Sequence, residues 1–193
     1  MNTKQIIFDA DGVLLDTLPY FIKWFLLNVP NFDVNKFLRD NVSYLLDEFA
    51  NNYEVFSNIP PMQGAIETVK RLSKDYKIDV ISAYGGNMKR FVGRNENIGK
   101  FFGDSINYVF TLPRNFDKKE LYIKYPKDTV VIDDSLYNCI QAVKTGHKAL
   151  WYQYYSSLLS PIINKGNNCH HQIKDKNIIP VSSFVEIEKF FSR

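Results

Sequence analysis

A chain of 193 residues, 45% of them hydrophobic, can build one packed domain with a modest insertion and is too short for two full domains. Its 24 basic and 21 acidic residues nearly cancel, leaving +3, and no stretch concentrates Lys and Arg with interleaved aromatics as a nucleic-acid groove would, which argues against a nucleic acid polymer as partner. Cys139 and Cys169 stand far apart and outside any C-x-x-C pair, which argues against a disulfide framework or a zinc cluster.

The N-terminal MNTKQIIFDAD enters a strand with no long apolar h-region and no small-residue cleavage site before it. With the cysteine usage of a reducing compartment, this predicts a cytoplasmic protein. The first strand, Gln5 to Phe8, delivers Asp9 and Asp11 into a turn at Gly12. Asp9 can point a carboxylate at a crevice, and Asp11 can reach the same side with its main-chain carbonyl left open to a cation. A carboxylate nucleophile beside a second carboxylate for proton transfer suits phosphoryl chemistry, although an isolated D-x-D-G is an ordinary turn.

From Leu18 to Pro61 the chain is helix-like, rich in Phe, Leu and Tyr, and closed by the rigid pair Pro60 and Pro61. It reads as a small helical cap inserted after the first strand, with Phe21, Phe25, Leu26, Phe37, Leu38, Leu45 and Phe49 forming a helix-packing core. Its longest apolar stretch, Tyr20 to Val29, is broken by Lys23 and falls well short of the ~20 residues of a membrane span, so no membrane partner is expected. The cap occupies 18–61, which leaves 1–17 and 62–193 as the core domain.

Beyond the cap, helix-like segments (Gly64 to Asp75, Asn87 to Asn95, Leu136 to Thr145) alternate with apolar runs at Ile78 to Ile81, Tyr108 to Phe110, Thr129 to Ile132 and Lys148 to Tyr152. That alternation predicts an α/β fold on a parallel sheet, and runs such as VVI, apolar without a period of two, predict helices on both faces. The strand ends carry the chemistry, where open α/β sheets place their ligands. Ser82, followed by Ala83, Gly85 and Gly86, offers a hydroxyl and backbone N–H groups to phosphate oxygens, although a Ser there is more often a turn or cap residue. In FDKKELYIKY, an ammonium near Asp9 would offset phosphate charge; Lys118 precedes the helix-like stretch, and Lys119 serves if the helix begins one residue later. Asp133 and Asp134 in VVIDDS would repel Asp9 and Asp11 unless a divalent cation with oxygen ligands, naturally Mg2+, lay between them. The same triplet suits a helix start capped by Asp134 or Ser135. Gln153 to Asn177 reads as an irregular excursion whose His170 and His171 lack a third metal ligand, and Ser183-x-x-Glu186 opens a last helix through Phe191.

The ordered set DADGVLLDT, VISA, Lys118 and VVIDDS resembles the haloacid dehalogenase superfamily, whose members are mainly magnesium-dependent phosphohydrolases. The similarity extends through PPMQGAIETVKRLSKDYKIDVISA and DDSLYNCIQAVKTGHKALWY to nearly the whole chain. It implies a Rossmann-like sheet. It also implies that Asp9 is a nucleophile forming an aspartyl-phosphate and that Asp11 is the acid and then the base. Ser82 and Lys118 would bind the phosphoryl group. Mg2+ would be held by the Asp9 side chain, the Asp11 carbonyl and Asp133, with Asp134 acting directly or through water. Dehalogenating members generally lack the second aspartate, so Asp11 points to phosphoryl transfer.

The expected activity is hydrolysis of a small-molecule phosphomonoester by a monomer or homodimer. Nucleoside monophosphates come first, from the cap aromatics Trp24, Phe25 and Tyr44 and a loose similarity to small 5'-deoxyribonucleotidases. A sugar phosphomutase or phosphotransferase, and a non-catalytic phosphate-binding regulatory protein, are the alternatives.

Overall fold

The computed structural model describes residues 4–34, 56–83, 88–113, 116–154 and 175–192. Six strands form one sheet: β1 (Gln5–Phe8), β2 (Lys77–Ala83), β3 (Tyr108–Leu112), β4 (Val130–Asp133), β5 (Lys148–Tyr152) and β6 (Ile178–Val181). Every pairing is parallel and the spatial order is β3-β2-β1-β4-β5-β6. The chain winds outward from β1 in one direction and then crosses over to wind outward from β4 in the other. The carboxyl ends of β1 and β4 therefore flank the switch point, where the loops part and leave a crevice.

The strands are continuously apolar because each face has its own helical layer. Ile6, Phe8, Val130, Ile132 and Leu150 face a core completed by α1 (Thr17–Asn28), α2 (Ala65–Leu72), α3 (Met88–Phe102) and α6 (Phe184–Phe191). Ile7, Val131 and Ala149 face the other way, against Tyr122 of α4 (Lys119–Tyr122) and Cys139 and Ala142 of α5 (Leu136–Lys144). Cys139 is a free, buried thiol. Among the described residues no helix is long and apolar enough to cross a membrane.

Several elements depart from the sequence expectation. The helix expected over Asn87 to Asn95 runs on to Phe102, because Ile98 and Phe102 extend its buried stripe past Gly93 and Gly99, residues that weaken the local helix signal. Strand β6 lies outside the apolar runs expected as strands, and Pro180 in IIPV lacks a ladder N–H. It lies opposite Trp151 at the sheet edge, where a missing N–H is tolerated. Of the two possible caps of α5, Ser135 serves, accepting from the Asn138 N–H. Ser183 caps α6, but the Glu186 carboxylate returns to the Ser182 N–H at 2.6 Å instead of to Ser183.

The chain leaves and re-enters the core along one stem. Asp16 N–H donates to the Pro60 carbonyl and Met62 N–H to the Leu14 carbonyl, both at 2.8 Å. Phe21 and Phe25 are buried in the same cluster as Phe8 and Phe184, so these cap positions extend the main core and do not build a separate one. Leu26, expected in a packing core, is exposed instead. Phe37, Leu38, Tyr44, Leu45, Phe49, Gly85, Gly86, Cys169, His170 and His171 lie outside the described residues.

One buried acid lies apart from the crevice. Asp79 of β2 takes a 2.8 Å hydrogen bond from the Tyr125 hydroxyl on Oδ2, while Oδ1 is buried with no hydrogen-bond partner of good geometry among the described residues. Burial raises its carboxyl above the usual range, against the Tyr125 hydrogen bond. An acid whose pKa is raised on folding costs nothing below its unfolded pKa, and it destabilises increasingly as pH climbs through the folded value. Asp79→Asn is therefore expected to raise Tm by a few degrees at pH 8, about 2–4 °C per kcal/mol in a chain of this size, with the gain fading towards pH 4. Thermal melts across that range check this, and a gain independent of pH would refute it.

Candidate active site

The site begins where β1 and β4 end. The Asp9 N–H donates to the Ile132 carbonyl at 2.8 Å, extending the ladder one residue past β1 and setting Asp9 beside Asp133. The chain then reverses tightly: Leu14 and Leu15 both donate to the Ala10 carbonyl, at 3.0 and 2.9 Å, and Gly12 takes φ 72°. That left-handed conformation strains any residue with a Cβ, which is why glycine stands there. The buried side chains of Val13, Leu14 and Leu15 anchor the turn and leave Asp11 at its open side.

Lys118, at the position preceding α4, is the lysine that enters the site. Its Nζ lies 2.9 Å from Asp9 Oδ1 and 2.8 Å from Asp133 Oδ2, and the residue is buried. Lys119 opens α4, its N–H donating to Asp117. Burial opposes the Lys118 charge, but the Asp133 and Asp9 carboxylates outweigh it and hold the ammonium well above the ordinary lysine range. Burial pushes the Asp9 carboxyl up to about 7 against the pull of Lys118, with Asp133 and Asp11 adding to the rise.

Asp133 is held from several sides, by the Ser135 N–H at 2.9 Å and by Asn138 Nδ2 at 3.0 and 3.1 Å. Asp134 keeps its side chain at the surface while its carbonyl accepts from Trp151 Nε1 at 3.0 Å. Asp11 is fixed at both oxygens: Oδ1 accepts from Thr17 Oγ1 at 2.9 Å, and Oδ2 pairs with Arg94 Nη1 at 2.6 Å. The Ser82 hydroxyl ends β2, is buried, and accepts from that same Nη1 at 2.6 Å. All the sequence-derived residues thus meet around the switch point, Asp9, Asp133 and Lys118 in direct contact, Asp11 and Ser82 through Arg94.

No family model matches the sequence, and no curated protein matches it. Solved structures do match. The magnesium-bound putative HAD-hydrolase YfnB from Bacillus subtilis superposes with a TM-score of 0.66 at 14% identity over 100% of both chains. D,D-heptose 1,7-bisphosphate phosphatase from Burkholderia thailandensis gives 0.59 at 13% identity, covering 98% of this chain and 99% of its own. L-2-haloacid dehalogenase from Xanthobacter autotrophicus, with chloropropionic acid covalently bound, gives 0.65 at 12% identity over 98% of each chain. The chain has the fold of the haloacid dehalogenase-like hydrolases. A phosphatase and a dehalogenase thus share this fold.

Three parts of this site were not anticipated from sequence. Thr17 and Asn138 lie a few residues from the acids they hold, but short polar side chains at helix starts carry no distinctive signal. Arg94 does carry one. It stands on the stripe Arg94, Ile98, Phe102 at a spacing of four, a charge on the buried face of α3, and it is fully buried.

The donor set suits a hard divalent cation. Asp9, Asp133 and Asp134 each offer a carboxylate oxygen, all within 4.8 Å of one another. Asp9 and Asp133 share one cation, Lys118, and Asp134 stands beside them, so these three acids carry more negative charge than the lysine offsets. A divalent cation would offset that charge.

Proposed function

We propose that this protein is a magnesium-dependent phosphatase that hydrolyses a small-molecule phosphomonoester through an aspartyl-phosphate on Asp9. The observation that carries the reading is the second carboxylate, Asp11, fixed by Thr17 and Arg94 two residues beyond the nucleophile. A halide departs without a proton, whereas an alkoxide leaving from phosphorus needs one, so a dedicated acid belongs to phosphoester chemistry.

Asp9 attacks phosphorus, the ester P–O bond breaks, and Asp11 protonates the departing oxygen. Asp11 then takes a proton from the water that attacks the acyl phosphate, and Asp9 is regenerated with release of phosphate. Lys118, 2.9 Å from Asp9, favours the ionised nucleophile and offsets the charge of the phosphoryl oxygens, and the Ser82 hydroxyl donates to one of them. Asp9, Asp133 and the Asp11 carbonyl, with Asp134, would hold Mg2+, which supplies charge neutralisation to the acid cluster and to the phosphoryl group. The inserted segment, 18–61, acts as the cap that chooses the substrate.

Nucleoside monophosphates remain the first substrate class to test. Phe25 cannot meet a base, because it is buried in the core against Trp24 and Phe32. Trp24 is half-buried and packs against the same core, edge-on to Phe25. The test is phosphate release from nucleoside monophosphates, sugar phosphates and p-nitrophenyl phosphate with Mg2+, beside chloride release from 2-chloropropionate. Phosphate release that EDTA abolishes and Mg2+ restores is expected. Chloride release without phosphatase activity would overturn the reading, and sugar phosphates cleaved with nucleotides untouched would remove the nucleotide class.

A further inference from the structure

We propose that Arg94 is a positioning residue that ties the proton-handling carboxyl of Asp11 to the phosphate-binding hydroxyl of Ser82; this rests on the phosphatase reading and assigns a new residue to the same site. A single atom makes both contacts, Nη1, at 2.6 Å from each partner. The other guanidinium nitrogens, Nε and Nη2, are buried with no hydrogen-bond partner among the described residues. Burying a cation with most of its donors unsatisfied is costly, and a Leu or Met on the stripe shared with Ile98 and Phe102 would pack without that cost. The stripe gains packing from an apolar residue. Arginine instead brings two polar contacts inside the crevice.

Donor and acceptor roles give those contacts a purpose. A guanidinium only donates, so Ser82 Oγ must accept from Arg94, and its own proton is directed elsewhere, as a phosphoryl oxygen requires. Asp11, held at one oxygen by Arg94 and at the other by Thr17, is kept from turning onto Lys118 or the other acids. The Phe56 ring, where the inserted segment returns, lies 5.4 Å from the Arg94 guanidinium carbon and braces its plane. Acid and hydroxyl are therefore located by one rigid group.

A group that positions a general acid matters most when the leaving oxygen is basic. Arg94→Met is expected to lower kcat/KM by about 10²-fold on an alkyl phosphate such as glycerol 2-phosphate, and by no more than about tenfold on p-nitrophenyl phosphate, whose leaving group departs with little help. Arg94→Lys, which keeps the charge but not the planar fork, shows the same bias in smaller measure and serves if the methionine variant does not fold. Circular dichroism establishes that the variants are folded. Equal losses on both esters in a folded variant, or no loss, would overturn the positioning role while leaving the phosphatase reading intact. A wild-type protein that releases phosphate from neither of these esters nor from nucleoside or sugar phosphates would overturn both.

Discussion

Asp9→Asn is expected to abolish phosphate release, by about 10⁴-fold or more, and Asp11→Asn to slow it by about 10²- to 10⁴-fold and to change what accumulates. In the proposed mechanism the first substitution replaces the nucleophilic carboxylate by an amide. The second leaves the proposed nucleophile in place, 2.9 Å from Lys118, and removes the group assigned to proton transfer. With p-nitrophenyl phosphate, whose leaving group needs little protonation, Asp11→Asn still forms the acyl phosphate but activates water poorly. Mass spectrometry of the rapidly quenched protein is therefore expected to find one added phosphoryl group on Asp11→Asn and none on Asp9→Asn. Asp9→Asn with undiminished turnover, or carrying the phosphoryl group itself, would exclude Asp9 as nucleophile.

Lys118→Met is expected to produce the largest loss of stability. The ammonium lies between two carboxylates whose side chains are 10% and 1% exposed, Asp9 and Asp133. Removing one member of a buried ionic group leaves the others uncompensated, at a cost of about 3–5 kcal/mol. In a chain of this size that corresponds to a fall in Tm of roughly 6–20 °C. Magnesium is expected to recover part of the loss, because a dication bound by the same acids replaces the missing positive charge. Lys119→Met, by contrast, removes a helix-surface charge and should change stability by no more than about 0.5 kcal/mol. Thermal melts of both variants with and without Mg2+ decide the matter. A destabilised Lys119→Met beside an unaffected Lys118→Met would reverse the assignment of the lysine.

The sheet and the positions of its acids were readable because their signals are local. Apolar runs of four or five residues ending in Asp or Ser mark strands that stop at a crevice, and β1 and β5 occupy the ranges expected from those runs. Less local features were harder to read. β6 is a strand because Trp151 and its neighbours on β5 give an edge to pair with, a partner that IIPV does not announce. Phe25 has the composition of a cap aromatic, yet it packs into the main core because the stem at 14–16 and 60–62 returns the chain there.

The double lysine shows most clearly what a linear chain leaves open. Two adjacent ammonium groups on similar stems are equivalent in sequence, and only the start of α4 decides that Lys118 turns inward to Asp9 and Asp133. Arg94 is a stronger case: it follows Ser82 by 12 residues and Asp11 by many more, and no local pattern names either as its partner. The amino-acid sequence by itself determined which residues end strands and which acids share the crevice, because hydrophobic period and turn chemistry act over a few residues. Only the tertiary structure decided which charges meet, since an ion pair inside a fold depends on distances set by helices packed from remote parts of the chain.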